Sequence, residues 1–329
     1  MKRIIFNKTG RIILPVLFVL TILINISLGS VRIEFKDIFT SIFEDSNIHF
    51  LIWRLRFPRV LMSIITGSAL AIVGSVFQSI MKNPLVDPYL IGTSAGAGFG
   101  AVMALYLISS LNVSVSVPIF SFVFALLASL LTIALARKKD VIPITHLILS
   151  GVLISTVFSS GTILLINFSH RSLTNVYVWL FGSLSGITYE DLLFPFLVTI
   201  LFLLFAYIKN GELDAMALGE DEAKILGVEV EKLKWILYIF GSFTISVIVS
   251  KTGIIGFVGL IIPHASRLVV GSRHKYNLIG SAIIGGIFLS FADTISRTVV
   301  APIEIPVGVI TSFVGAPLMF ILLKRGGKG

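Results

Sequence analysis

Residues 88–136 read PYLIGTSAGAGFGAVMALYLISSLNVSVSVPIFSFVFALLASLLTIALA, 49 residues without one charged side chain. A helix rises 1.5 Å per residue, so one helix of that length would be more than twice the ~30 Å thickness of a bilayer's hydrocarbon core. The run therefore holds two spans. Ser109, Ser110, Asn112 and Pro118 mark the turn between them. Further apolar runs fit one span each: 12–31, 60–81, 141–169 with only His146, 192–208, 235–250, 252–272 with His264 and Arg267, 276–292 and 305–323. The fold expected is an all-α polytopic membrane protein of about ten transmembrane helices, with residues 1–329 forming a single transmembrane domain. A membrane β-barrel would alternate over ten-residue segments, and no such alternation is seen.

Composition points the same way. Apolar residues make up 56% of the 329 and charged residues 13%, with a mean hydropathy of +1.00. A soluble globule carries about 25% charged residues. Disorder needs low hydrophobicity and is excluded. The chain has no cysteine, so a disulfide scaffold is excluded as well.

The net charge of +9 reads as topology. Ten spans place both termini on one side. With the N-terminus inside, the inner segments hold Lys2, Arg3, Lys8, Arg11, Lys82, Arg137, Lys138, Lys139, Lys209, Lys224, Lys232, Lys234, Arg273, Lys275, Lys324, Arg325 and Lys328, 17 of the 26 basic residues. The outer segments hold Arg32, Lys36, Arg54, Arg56, Arg59, Arg171, Lys251 and Arg297, and Arg267 lies within a span. Basic residues favour the cytoplasmic side, so the chain reads N-in and C-in in a plasma or inner membrane. This distribution makes no case for nucleic acid. The first run reads as a retained helix, because it is long for a signal peptide and Asn25-Ile26-Ser27 is a poor cleavage site.

Chemistry-bearing motifs are few. No G-x-x-x-x-G-K-[ST] occurs, so the chain cannot cradle ATP phosphates by itself. Gly96-Ala97-Gly98-Phe99-Gly100 follows no strand and is no dinucleotide loop. Gly92, Gly96 and Gly100, like Gly67, Ala71 and Ser75, are spaced four apart, which lets helix backbones approach closely. His49, His146, His170, His264 and His274 form no metal-ligand spacing, and no metal or cofactor is expected. His264, one turn before Arg267, reads as a structural histidine. Asp293 and Arg297 stand at i, i+4 with the acid first, a favourable helical ion pair. No carboxylate lies near the middle of any span, which weakens an ion-coupled carrier. A membrane-embedded enzyme would need clustered polar residues within spans, which the sequence lacks.

The inner loop 210–234 is the longest. Its stretch from Asp214 reads DAMALGEDEAKILGVEVEKLK. Helix formers flank Gly219 and Gly227, predicting two short helices with glycine breaks. Its many apolar side chains suit a plug for a partner's groove better than a bare connector. Outside, Arg54, Arg56 and Arg59 cluster before a span. They read equally as headgroup anchors and as a dock for an acidic partner.

The order of motifs resembles the iron-siderophore, haem and vitamin B12 permease family of ABC importers. The matching residues are Leu55-Arg56-Phe57-Pro58-Arg59, Gly67-Ser68-Ala69-Leu70-Ala71, Asn83-Pro84-Leu85-Val86-Asp87-Pro88, Ile91-Gly92-Thr93-Ser94-Ala95-Gly96, Ala217-Leu218-Gly219-Glu220, Gly256-Phe257-Val258-Gly259, Ala292-Asp293 with Arg297, and Pro306-Val307-Gly308. Phe57 stands where the family usually has leucine, and Val86 precedes Asp87 where alanine is common. The resemblance implies a permease subunit that moves an iron(III)-siderophore complex, or alternatively haem or a corrinoid, into the cytoplasm. It is not itself an enzyme. The partners it implies are two cytoplasmic ATP-binding cassette subunits, an extracytoplasmic substrate-binding protein, a second permease subunit identical or closely related to this one, and membrane lipid. Residue by residue, Arg56, Arg59 and Arg297 would dock the binding protein, with Asp293 holding Arg297. Ala217, Leu218, Gly219, Glu220, Ala223, Leu226 and Gly227 would couple to the ATPase. Asn83, Leu85, Ile144 and Thr145 would form the cytoplasmic gate.

Overall fold

The computed structural model describes residues 8–29, 33–41, 47–139, 141–168 and 174–326. Lys2, Arg3, Arg32, His170, Arg171 and Lys328, which entered the charge and histidine patterns, lie outside the described residues. Among the described residues there is no strand, only a single antiparallel bridge between Lys138 and Val141.

The helices are α1 (Lys8–Ser27), α2 (Phe35–Thr40), α3 (Asn47–His49), α4 (Phe57–Ile80), α5 (Thr93–Leu111), α6 (Val117–Ala136), α7 (Ile144–Phe168), α8 (Thr174–Leu180), α9 (Leu193–Ile208), α10 (Asn210–Leu218), α11 (Glu220–Ile225), α12 (Val230–Thr252), α13 (Val258–Val270), α14 (His274–Thr298) and α15 (Val307–Gly326). Seven helical segments among the described residues are long and apolar enough to cross a membrane. Three shorter apolar helices, Val16–Ser27, Val258–Val270 and Val307–Phe320, fall in the remaining apolar runs.

The 49-residue run divides as its composition requires. Helix α5 ends at Leu111, Asn112 adopts the left-handed conformation at φ 52°, and α6 begins at Val117 with Pro118 in its first turn. One boundary differs from the sequence expectation. The helix leading to Ile80 begins at Asn47, because a π-helical stretch, Phe50–Arg56, joins α3 to α4. Arg54, Arg56 and Arg59 therefore lie on a continuous helix and not before it. Hydropathy missed this because the arginine charges interrupt the apolar run, whereas the fold answers two of them with internal partners.

Helix α4 is the centre of the bundle: 83% of its apolar window is buried, against 28% for α7. Glycine lets its neighbours come close. A Cβ on Gly67 would lie 2.1 Å from the Gly285 carbonyl oxygen of α14, and one on Gly74 would lie 2.0 Å from Gly259 O of α13. Gly96 and Gly100 do the same for α5, facing Phe124 O at 2.3 Å and Phe120 O at 2.4 Å on α6. Such contacts are how membrane helices gain dispersion energy without a hydrophobic drive between them. Gly92 serves differently. At φ +83° it ends the 3-10 turn Pro88–Ile91 and starts α5, a conformation that favours glycine. The central core continues through Leu70, Phe77, Phe202, Tyr238 and Ile245, with Phe77 and Tyr238 meeting edge to face at 5.7 Å.

Candidate functional site

Polar side chains collect at the two ends of α4. At its N-terminal end, Arg59 is 8% exposed. Its Nε donates to both Asp293 oxygens at 3.0 Å and its Nη2 to Asp293 Oδ1 at 2.8 Å, while Nη1 donates to Glu304 at 2.8 and 3.0 Å. Five contacts of this kind use nearly the full donor fork of a guanidinium. Arg297, on α14 one turn after Asp293, stands farther off, with Nε 3.6 Å from Asp293 Oδ2. That Nε has no hydrogen-bond partner among the described residues, and Nη2 donates to Asn25 O and Thr294 Oγ1. The carboxylate that i, i+4 spacing gives to Arg297 is thus held mainly by Arg59. Arg56 is also buried, and its Nη1 donates to Ile26 O at 2.7 Å and Ser27 O at 3.2 Å. Those carbonyls close α1, where a cation is favoured by the helix dipole. Of the outer cluster only Arg54 is exposed.

Arg59 and Glu304 also line a cavity of about 280 Å³ shared with Ser183, Ser185, Ser296 and Pro306. Glu304 lies between α14 and α15, its side chain 41% exposed. Sequence reasoning overlooked it: a lone glutamate in a short loop carries no signal, and its partner is 245 residues away.

Near the other end of α4 lie the loop 210–234 and the segments around Asn83 and Ile144. Helices α10 and α11 are separated by Gly219, and Gly227 at φ +82° breaks the chain again before α12. Leu218, Ile225 and Leu226 are 75%, 85% and 66% exposed, whereas Ala223 is fully buried. Ala217 and Glu222 are exposed and Glu220 half-buried. Lys234, 1% exposed, pairs with Glu220 at 2.7 Å and Glu231 at 3.0 Å, clamping α11 to the first turn of α12. Arg137 stacks over Trp235 at 5.3 Å.

Asn83 accepts the Leu85 backbone N–H at 2.9 Å, an Asx turn that leaves Leu85 46% exposed. Asp87 accepts the Tyr89 N–H at 2.9 Å, capping the turn Pro88–Ile91. Burial pushes its carboxyl up to about 6, against the lowering effect of that hydrogen bond. Ile144 and Thr145 open α7, and nearby Ile142 N–H donates to Glu231 at 3.0 Å. The start of α7 is therefore tied to the same α11–α12 corner as the loop. His264 is half-buried on α13. Among the described residues no group of three or more His, Asp or Glu could hold a metal ion.

Between the two ends, α7 shows a largely uncovered face. Ser155, Thr156, Ser159 and Ser160, with Leu90, Val152 and Ile163, line an open groove of about 420 Å³. Hydroxyls spaced to lie on one helix face are the polar part of an otherwise apolar wall.

A bundle of apolar helices with ion-paired ends and an exposed apolar loop defines a polytopic helical membrane protein. Residues 17–325 match the FecCD transport family, and the chain belongs to it. It is therefore a multi-pass inner-membrane permease subunit of an ABC importer, a type that acts with ATPase subunits and a second permease subunit. Relatives include a cobalamin import permease of Halobacterium salinarum, BtuC, 39% identical over 83% of this chain and 73% of the relative. The Fe(3+)-citrate import permease YfmE of Bacillus subtilis is 35% identical over 95% and 94%. A solved structure described as an inward-facing metal-chelate type ABC transporter shares 30% identity at a TM-score of 0.84, covering 97% of this chain and all of that one.

Proposed function

We propose that the chain forms half of the path by which a ferric siderophore enters the cytoplasm, delivered by an extracytoplasmic binding protein and driven by two ATPase subunits. The observation that carries this reading is the α7 groove: a wide, uncharged wall of hydroxyl and aliphatic groups. A bulky chelate can pass such a wall without being gripped, because no desolvated charge binds it. The absence of a mid-span carboxylate disfavours ion coupling and suits energy supplied by separate ATPase subunits. A corrinoid is the second reading, favoured by the cobalamin-importing relative.

In this account the exposed Leu218, Ile225 and Leu226 enter a groove of the ATPase, with Ala217, Gly219, Glu220, Ala223 and Gly227 shaping the segment. Asn83 and Leu85 with Ile144 and Thr145 close the path on the cytoplasmic side. The binding protein docks at the arginine end. Arg59 is engaged by Glu304, so an acidic side chain of the binding protein would replace Glu304 and leave the Asp293 contacts in place. Arg56 and Arg297 supply the surrounding positive field. Vesicles holding the permease, its ATPase subunits and the binding protein test the proposal. Uptake of a radio-iron siderophore should require ATP, stop with vanadate and persist when ion gradients are collapsed. Uptake driven by an ion gradient alone would overturn it.

A further inference from the structure

A chain of three side chains, two of them buried, joins the coupling loop to α4. Asp214 of α10 places Oδ1 2.6 Å from His274 Nδ1 and 2.9 Å from the His274 backbone N–H. It thereby caps α14 from 60 residues away, where the local N-cap, Arg273, contributes no side-chain cap. The other ring nitrogen, Nε2, lies 2.5 Å from Ser79 Oγ in the last turn of α4. One turn further into both helices, Asn277 Nδ2 donates to Ser75 Oγ at 2.9 Å. His274 and Ser79 are 3% and 8% exposed.

The proton on Nδ1 follows from its partner. Partial burial raises the Asp214 carboxyl, but hydrogen bonds from the ring and backbone of His274 outweigh it and hold the group below its usual range. An ionised Asp214 only accepts, so Nδ1 carries a proton. Nε2 shares a hydrogen bond with the Ser79 hydroxyl, which also lies 2.9 Å from the Ser75 carbonyl oxygen one turn back. Both nitrogens are used, and each joins a different helix. The Ser–His–Asp order is that of a hydrolytic triad, yet Ser79 is buried within a helix whose backbone N–H groups are spent on helix bonds.

We infer that His274 is a positioning residue that transmits displacement of the coupling segment to the cytoplasmic gate. Asp214 moves with α10, and Ser79 lies four residues before Asn83. A shift of α10 therefore pulls the ring, and the ring pulls the end of α4 from which the gate loop emerges. The imidazole suits this role because its two nitrogens point in different directions on one rigid plane. This inference rests on the coupling and gate roles proposed above.

The absence of cysteine permits a clean test. Leu85→Cys in the full complex, purified with its ATPase subunits, reports gate exposure through its maleimide labelling rate, with and without ATP and vanadate. His274→Asn reaches only Asp214, and His274→Gln only Ser79. Ser79→Ala leaves the cap on α14 intact and guards against a misfolded variant, and Ser79→Thr restores the hydroxyl. The expected result is that all three disconnecting variants retain bound ATPase and its hydrolysis but lose the nucleotide-dependent change in labelling, which Ser79→Thr keeps. A normal labelling response in His274→Asn and Ser79→Ala would overturn the link. A response missing even with native His274 would overturn the gate reading and this inference with it.

Discussion

Replacing Arg59 by methionine removes a cation from a carboxylate that has no access to water. Asp293 is 1% exposed and takes three hydrogen bonds from Arg59. Its remaining cation, Arg297 Nε, is 3.6 Å away. Breaking a buried pair from one side costs about 3–5 kcal/mol. Two features place this case at the low end. Arg297 keeps part of the field on Asp293, and Glu304, half open to water, loses little when released, as exposed pairs contribute about 0–1 kcal/mol. Loss of roughly 3 kcal/mol is therefore expected for Arg59→Met. Adding Asp293→Asn removes the stranded charge and should return most of that loss, giving a coupling energy of about 2 kcal/mol or more across the cycle. Equilibrium unfolding of the purified permease in mixed micelles, titrated with a denaturing detergent, measures all four species. An Arg59→Met protein within about 1 kcal/mol of wild type would refute the reasoning. So would a double variant no more stable than the single one.

Four further outcomes are expected. Gly285→Val should destabilise the bundle by about 1–3 kcal/mol or more, since even a Cβ there lies 2.4 Å from Gly67 O; an unchanged unfolding midpoint would contradict the close contact. Leu218→Asp should lose the ATPase subunits on co-purification, while the permease itself keeps its stability because that side chain is 75% exposed. Glu304→Gln should tighten binding-protein docking by freeing Arg59 from a competing charge, measured by surface plasmon resonance on nanodiscs; weaker docking would count against the exchange. Asp87 has a folded value raised to about 6, so the folded state favours its neutral form. Its contribution to stability is full below pH 4 and is lost as pH rises to about 6. Asp87→Asn should remove that slope from the pH profile of unfolding, and an identical slope in the variant would contradict it.

Much of the fold was legible because a bilayer imposes length on apolar runs. The uncharged stretch 88–136 divides at Asn112, and Gly219 and Gly227 divide the cytoplasmic loop, as local chemistry alone requires. Four-residue glycine spacing marked the close contacts at Gly67, Gly96 and Gly100. The start of the helix ending at Ile80 was not legible. Charges at Arg54, Arg56 and Arg59 look like a boundary until their partners are known, and Asp293 is 234 residues from Arg59. The same holds for Glu304, for the Lys234 clamp and for the Asp214–His274–Ser79 chain. Each joins residues distant in sequence, and each residue taken alone has an ordinary surface or capping reading. Spacing rules reach one or two helical turns, so they paired Asp293 with Arg297 and could not show that Arg59 holds the carboxylate more closely.

The proposed function has this permease move a metal chelate on energy from separate ATPase subunits. Reconstituted vesicles with the binding protein loaded with a radio-iron siderophore test it most directly. Accumulation should depend on internal or external ATP according to orientation, vanish with vanadate, and be indifferent to proton and sodium gradients. Accumulation that continues without the ATPase subunits would contradict it.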